Sequence, residues 1–104
     1  MDALDALTRL TRAGWVFTYP RDDTGGIIAG YAVRLWPGGW WDGLILHAEH
    51  ECEAIRVDPD NALTWRRDGT VVDMVAAVAE LPAPGERLAP SLATGSHFSG
   101  FTNF

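Results

Sequence analysis

Between Trp15 and Asp68 the chain repeats one pattern, a short run of alternating apolar residues followed by a cluster of turn-forming residues. The runs are residues 15–20, 27–36, 40–48, 52–58 and 62–68. Because side chains two residues apart share one face of a strand, each run predicts a β-strand. The intervening RDDTGG, PGG, EHE and DPDN segments favour tight reversals. We therefore predict an antiparallel sheet of four to five strands.

A helical pattern lies at each end of this region. Residues 2–13 place leucines at a spacing of three, with Asp residues in the first turn, Arg residues in the last and Gly14 as a stop. Residues 70–81 open with Thr70 and Asp73, which resemble a capping box, and continue with valines and Met74 at helical spacing before Pro82. The order of elements predicts one α+β domain over residues 1–82, with the C-terminal helix packed on one face of the sheet.

Residues 83–104 are rich in Pro, Gly, Ser, Ala and Thr and have no periodic apolar face, so we expect an irregular C-terminal tail. The tail carries Phe98, Phe101 and Phe104 at intervals of three. Three interpretations are open. The aromatic residues fold back and cover the exposed face of the sheet, they dock on a partner, or an enzyme recognises the tail as a substrate.

The charge distribution argues against nucleic-acid binding. The net charge is −6, there is no Lys, and the eight Arg residues are scattered instead of forming a basic stripe. The chain has no apolar run of about 20 residues, so no membrane association is expected. One cysteine cannot form an internal disulfide, and the N-terminus lacks the layout of a signal peptide. We expect a cytoplasmic protein.

The segment HAEHEC offers His47, His50 and Cys52 as the best candidate metal ligands. Their spacing matches no known zinc motif, and on a regular strand the two histidines would point to opposite faces. We therefore interpret the segment as a polar strand end and predict neither a metal nor a cofactor. No nucleophile motif, phosphate-binding loop or dinucleotide fingerprint is present, so we do not predict an enzyme.

Three tryptophans flank the PGG turn, namely Trp36, Trp40 and Trp41. A small sheet needs bulky residues inside, so at least two of them are expected in the core. Trp40 and Trp41 are adjacent, and a strand that continues through both would direct them to opposite faces. One ring would then contribute to an exposed binding patch, with Asp42 at its polar rim.

The function predicted from these features is that of a small acidic, non-catalytic protein–protein interaction module, such as an adaptor, an inhibitor or an immunity-like protein. Its expected partner is another protein, with a basic one favoured by charge steering, or a second copy of itself. The predicted partner-binding residues are Trp36, Trp40, Trp41, Asp42, Phe98, Phe101 and Phe104. The alternatives are a small-ligand or metal-binding protein that uses His47, His50 and Cys52, and a precursor or cargo protein whose tail is recognised by an enzyme or shell.

Overall fold

The structure, a computed structural model, describes residues 2–18 and 30–98. Two helices, α1 (Ala3–Arg12) and α2 (Val71–Glu80), flank the strands in the sequence. The strands are β1 (Val16–Thr18), β2 (Gly30–Leu35), β3 (Trp41–Ala48), β4 (Glu51–Val57) and β5 (Leu63–Gly69). The predicted α+β class is confirmed, with an N-terminal helix, an antiparallel sheet, a second helix packed on the sheet and an irregular segment after α2.

The strands form one antiparallel sheet in the order β1-β2-β3-β4-β5, so each strand pairs with its neighbours in the sequence. This order follows from the short connections, since tight turns join adjacent antiparallel strands. The predicted RDDTGG turn and the predicted strand residues 19–20 and 27–29 lie outside the described residues.

Both helices begin at side-chain caps. The carboxylate of Asp2 accepts a hydrogen bond from the Asp5 amide at 2.8 Å, and the Thr70 hydroxyl accepts one from the Asp73 amide at 3.1 Å. Each cap satisfies a backbone N–H that has no partner within the helix. The helix predicted to begin with Thr70 and Asp73 is therefore confirmed, and α2 ends at Glu80, two residues before Pro82.

Both helices pack on the same side of the sheet, which we call the inner face, and the opposite side is the outer face. Strand register and alternation direct Ala32, Leu44, Cys52 and Ala54 to the inner face. There they join the apolar residues of α1 and α2 in one core cluster. No described helix is long and apolar enough to cross a membrane.

The core tryptophan is Trp15, which is buried beside Leu10 of α1, while Trp65 packs at the margin of the core. The expectation that two of the three tryptophans at the PGG turn fill the core is wrong, because all three are half-buried and lie outside the core cluster. Trp36 and Trp40 flank the turn beyond the ends of β2 and β3, and Trp41 points to the outer face.

Candidate interaction surface

The outer face is apolar over much of its area. Parity along the paired strands places the following residues on it: Val16, Tyr31, Val33, Leu35, Trp41, Gly43, Ile45, Ile55 and Val57. When one face of an antiparallel sheet is exposed to solvent, the side chains on that face are usually polar. This face is therefore more apolar than a solvated sheet face, and its two sides are covered to different extents by the described residues.

On the side of β3 and β4, the ring of Trp41 lies against the sheet over Gly43. A Cβ atom built on Gly43 would approach Trp41 Cζ3 to 2.8 Å and Ile55 Cγ1 to 3.2 Å, so this glycine provides the space for the ring. Phe98 meets Trp41 edge-on, with ring centroids 4.7 Å apart at an interplanar angle of 83°. Ile55 and Val57, on the strand next to Trp41, are buried.

A backbone ladder holds Phe98 in this position. The C-terminal segment 94–98 runs antiparallel to residues 61–63, and His97 bridges to Ala62. The Thr94 amide donates to the Leu63 carbonyl at 2.8 Å, and the Leu63 amide donates to the Ser96 carbonyl at 3.0 Å. Asn61, at a left-handed φ of 65°, donates from its side-chain amide to the Phe98 carbonyl at 2.8 Å. At residues 94–98, the predicted tail therefore folds back on its own domain.

On the side of β1 and β2, the residues that the structure describes leave the outer face largely uncovered. Val16 is 69% exposed and Leu35 is 79% exposed. Val33 pairs with Val16 across the strands and lies on the same face as Leu35, which itself pairs with Trp41. These residues form a continuous apolar row from the sheet margin to the Trp41–Phe98 contact, and we call Val16, Val33 and Leu35 the open row.

Asp42 does not belong to this surface. Its side chain is 1% exposed on the inner face, so the predicted position at the polar rim of an exposed patch is wrong. The physical reason is alternation, since Asp42 shares its face with Leu44 and Leu46. Arg56 pairs with it across the strands, with Arg56 Nε donating to Asp42 Oδ1 at 2.6 Å and Nη2 donating to Oδ2 at 2.9 Å.

The Asp42–Arg56 pair also forms hydrogen bonds with groups from two other parts of the chain. The indole Nε1 of Trp36 donates to Asp42 Oδ2 at 2.8 Å, and Arg56 Nη1 donates to the carbonyl of Pro82, just after α2. No buried side-chain nitrogen or oxygen within residues 2–18 and 30–98 lacks a hydrogen-bond partner. Since buried charges must be paired and hydrogen-bonded, this pair is a structural anchor between the sheet and the end of α2.

Trp36 has a second contact that fixes its ring. The guanidinium of Arg34 stacks over it at 4.0 Å from the ring centroid, a cation–π geometry. The PGG turn beside it is a short 3-10 turn (Pro37–Gly39) in which Gly38 and Gly39 adopt φ values of 82° and 90°, as their lack of a side chain permits. The Trp36 amide closes the turn by donating to the Trp40 carbonyl at 2.9 Å.

The three candidate metal ligands do not converge. Cys52 is buried on the inner face within the core, whereas His50 lies exposed in the turn between β3 and β4 and His47 sits at a register shift in β3. Among the described residues, no group of three or more His, Cys, Asp or Glu side chains is placed to hold a metal ion. The shallow depression at this end of the sheet is lined by His47, His50, Glu51 and Cys52 together with Glu53, Asp68 and Gly69.

The Cys52 thiol is unsuited to nucleophilic chemistry. Burial and, to a smaller extent, the negative charge of the neighbouring Glu53 carboxylate together raise its pKa from 9.0 to about 12. A thiolate is the reactive form, so this side chain remains protonated and inert at neutral pH. Its contribution is to packing in the core.

The raised pKa of Cys52 predicts a specific loss of stability in alkali. The folded state keeps the proton up to about pH 12, while the unfolded chain releases it near pH 9.0. Ionisation of the unfolded state therefore lowers the free energy of unfolding progressively between these pH values. We expect the stability advantage of the wild type over Cys52→Ala to shrink from pH 8 to pH 11 in urea unfolding experiments. A constant difference over this range would contradict the burial of the thiol.

The chain matches no protein-family model, no curated protein and no solved structure. Its function must be inferred from its own residues.

Of the predicted partner-binding residues, the structure brings Trp41 and Phe98 together on the outer face and joins Trp36 to Asp42 on the inner side. Trp40 is half-buried beside the turn, while Phe101 and Phe104 lie outside the described residues. Sequence reasoning missed the open row and the partner of Asp42. The alternation along the strands contained the signal for both. In β2 it places Val33 and Leu35 on the face opposite to Arg34. In β4 it places Arg56 on the face opposite to Ile55 and Val57.

Proposed function

We propose that the protein is a non-catalytic interaction module that binds a partner protein through the outer face of its sheet. The observation that carries the proposal is the open row, in which Leu35 and Val16 remain largely exposed. The neighbouring part of the outer face, on β3 and β4, is covered by Trp41 and Phe98 of the same chain. Continuous apolar surface of this kind marks interaction sites on folded proteins. The Trp41–Phe98 contact supplies a rigid aromatic border, and aromatic residues are enriched where binding energy concentrates.

Charge supports a basic partner. The chain has a net charge of −6. On the outer face, Glu51, Glu53 and Asp68 lie on β4 and β5, where Arg66 pairs with Glu53 at 2.9 Å. These carboxylates share the outer face with the open row but lie two strands away from it, so they fit a partner whose basic side chains reach across the sheet from an apolar anchor on β2. Such complementarity accelerates association and selects against acidic partners.

The test compares two exposed leucines on opposite sides of the molecule. Leu35 is 79% exposed in the open row, and Leu4 is 74% exposed on α1. Since both side chains are largely in solvent, Leu35→Glu and Leu4→Glu are each expected to leave the fold intact. In affinity capture from extracts of the cells that encode the protein, we expect the wild type and Leu4→Glu to retain the same partner. Leu35→Glu is expected to reduce its recovery at least about tenfold, because a desolvated carboxylate replaces an apolar anchor.

Two results would count against this function. If neither the wild type nor Leu4→Glu retains a protein above the blank resin, there is no stable partner. If Leu35→Glu retains the partner as well as Leu4→Glu does, the outer face is not the binding surface. Sedimentation of the purified proteins decides whether the partner is a second copy, because a dimer that dissociates only in Leu35→Glu would identify self-association.

A further inference from the structure

A second feature of the molecule lies on its helical side, away from the outer face. Between the end of α1 and the length of α2, the structure leaves a groove of about 430 Å³, which we call the helical groove. Its floor and walls are formed by Leu10, Trp15, Val72, Val75, Ala76 and Ala79. The volume falls in the range of small-molecule sites, which are about 300–1,000 Å³ and mostly apolar.

The sequence explains why the two helices do not close this space. Ala13, Ala76 and Ala79 line the groove, and their methyl groups are too short to fill it. Trp15 forms a buried, flat aromatic wall at the point where the chain leaves α1 and enters the sheet. The interface between α1 and α2 is therefore incompletely filled, and an apolar slot remains beside it.

Arg34 gives the helical groove a local charge opposite to the net charge of the protein. Arg34 contributes to the lining from the inner face of β2, and the described lining contains no Asp or Glu. Arg9 of α1 also lines the groove, but it is already engaged in another contact. This arrangement stands out in a chain with a net charge of −6. The Arg34 guanidinium beside an apolar slot complements an anion that carries an apolar body.

Arg34 is held in place before any ligand arrives. Its guanidinium stacks on Trp36 at 4.0 Å, and the Trp36 indole is itself fixed by its hydrogen bond to the buried Asp42. Stacking occupies the face of a guanidinium, while its N–H donors lie in the plane and point from its edge. A donor that is already ordered loses less entropy on binding, which raises affinity.

We propose that the helical groove binds a small apolar carboxylate, with the hydrocarbon body in the slot between α1 and α2 and the carboxylate on Arg34. This site lies on the side opposite to the open row, so it does not depend on the interaction function proposed above. A protein partner and a small carboxylate could therefore occupy the molecule at the same time.

The experiment titrates the purified, full-length protein with decanoate, below its micelle concentration, and follows backbone amide signals by NMR. We expect saturable shifts centred on Ala13, Ala76 and Ala79. Decan-1-ol, which has the same body without the charge, is expected to bind at least about tenfold more weakly, since hydrogen bonds to charged groups contribute more than neutral ones. Equal affinity for the alcohol, or shifts centred elsewhere, would overturn the proposal.

Amino-acid substitutions test the contributions of the arginine charge and of the apolar slot separately. Arg34→Gln is expected to weaken decanoate binding at least about tenfold, because it removes the charged donor of the groove. Arg12→Gln, on the same helix but outside the lining, is the matched control and is expected to leave the affinity unchanged. Ala76→Leu places a larger side chain at an exposed lining position and is expected to abolish binding while the other amide signals keep their positions. Binding that survives Ala76→Leu would also overturn the proposal.

Discussion

Replacement of Asp42 by alanine is expected to lower the free energy of unfolding by about 3–5 kcal/mol. The substitution leaves the Arg56 guanidinium, which is 0% exposed, without its carboxylate, and it removes the acceptor of the Trp36 indole. A buried charge without a partner costs far more than the pair itself contributes. Since small domains have about 5–15 kcal/mol of stability in total, the variant is expected to be only marginally folded. Urea unfolding followed by tryptophan fluorescence measures the difference.

The same sheet offers a matched control. Glu53 and Arg66 form an ion pair of similar length, but both side chains are partly exposed. Glu53→Ala is therefore expected to cost about 0–1 kcal/mol. A neutral pair, Asp42→Asn with Arg56→Met, is expected to be more stable than Asp42→Ala, because no unpaired charge remains. A cost for Asp42→Ala no larger than that for Glu53→Ala would show that the anchor contributes little.

Gly43→Ala is expected to destabilise the fold by about 1–3 kcal/mol, a large effect for a single methyl group. The added Cβ would lie 2.8 Å from the Trp41 ring, so the ring must move off the sheet and alter its contact with Phe98. Urea unfolding gives the cost, and near-ultraviolet circular dichroism reports the altered environment of the ring.

A variant that lacks the Trp41 ring tests whether the ring is the cause of this cost. When Trp41→Ala has removed the ring, Gly43→Ala is expected to become neutral or stabilising, because alanine in a strand is favoured over glycine by about 0.5–1 kcal/mol. Gly69→Ala, in β5, is the control, since its Cβ would meet the flexible end of Met74 at 3.1 Å. If Gly43→Ala costs as much without Trp41 as with it, the ring is not what requires the glycine.

The fold could be predicted from local signals because strand alternation, turn residues and helix caps each depend on residues that are close together in the sequence. Alternation identified the strands, Gly, Pro and Asp marked their turns, and Thr70 with Asp73 located the start of α2. The prediction was weaker for burial, as the tryptophans beside the PGG turn show. Their size suggested core positions, but burial depends on which face the helices cover, and α1 and α2 cover the inner face, which Trp41 does not share.

The candidate surface could be predicted only in part for the same reason. Trp41 and Phe98 were each identified from the sequence, yet their contact depends on the hydrogen bonds of residues 61–63 with the C-terminal segment, about 30 residues away. Asp42 illustrates the opposite error. Its charge suggested exposure, although alternation with Leu44 already placed it on the buried face, where only a partner such as Arg56 makes a carboxylate tolerable.

The C-terminal segment also affects how this chain behaves at high concentration. A strand at the margin of a sheet presents unpaired backbone groups that can template aggregation by strand addition. At the start of β5 those groups are already occupied, because both the amide and the carbonyl of Leu63 bond to the C-terminal segment. Further along β5, the exposed Arg66, Arg67 and Asp68 oppose the approach of another strand through their charge and hydration. Backbone saturation and charge thus protect successive parts of one strand against amyloid-like stacking.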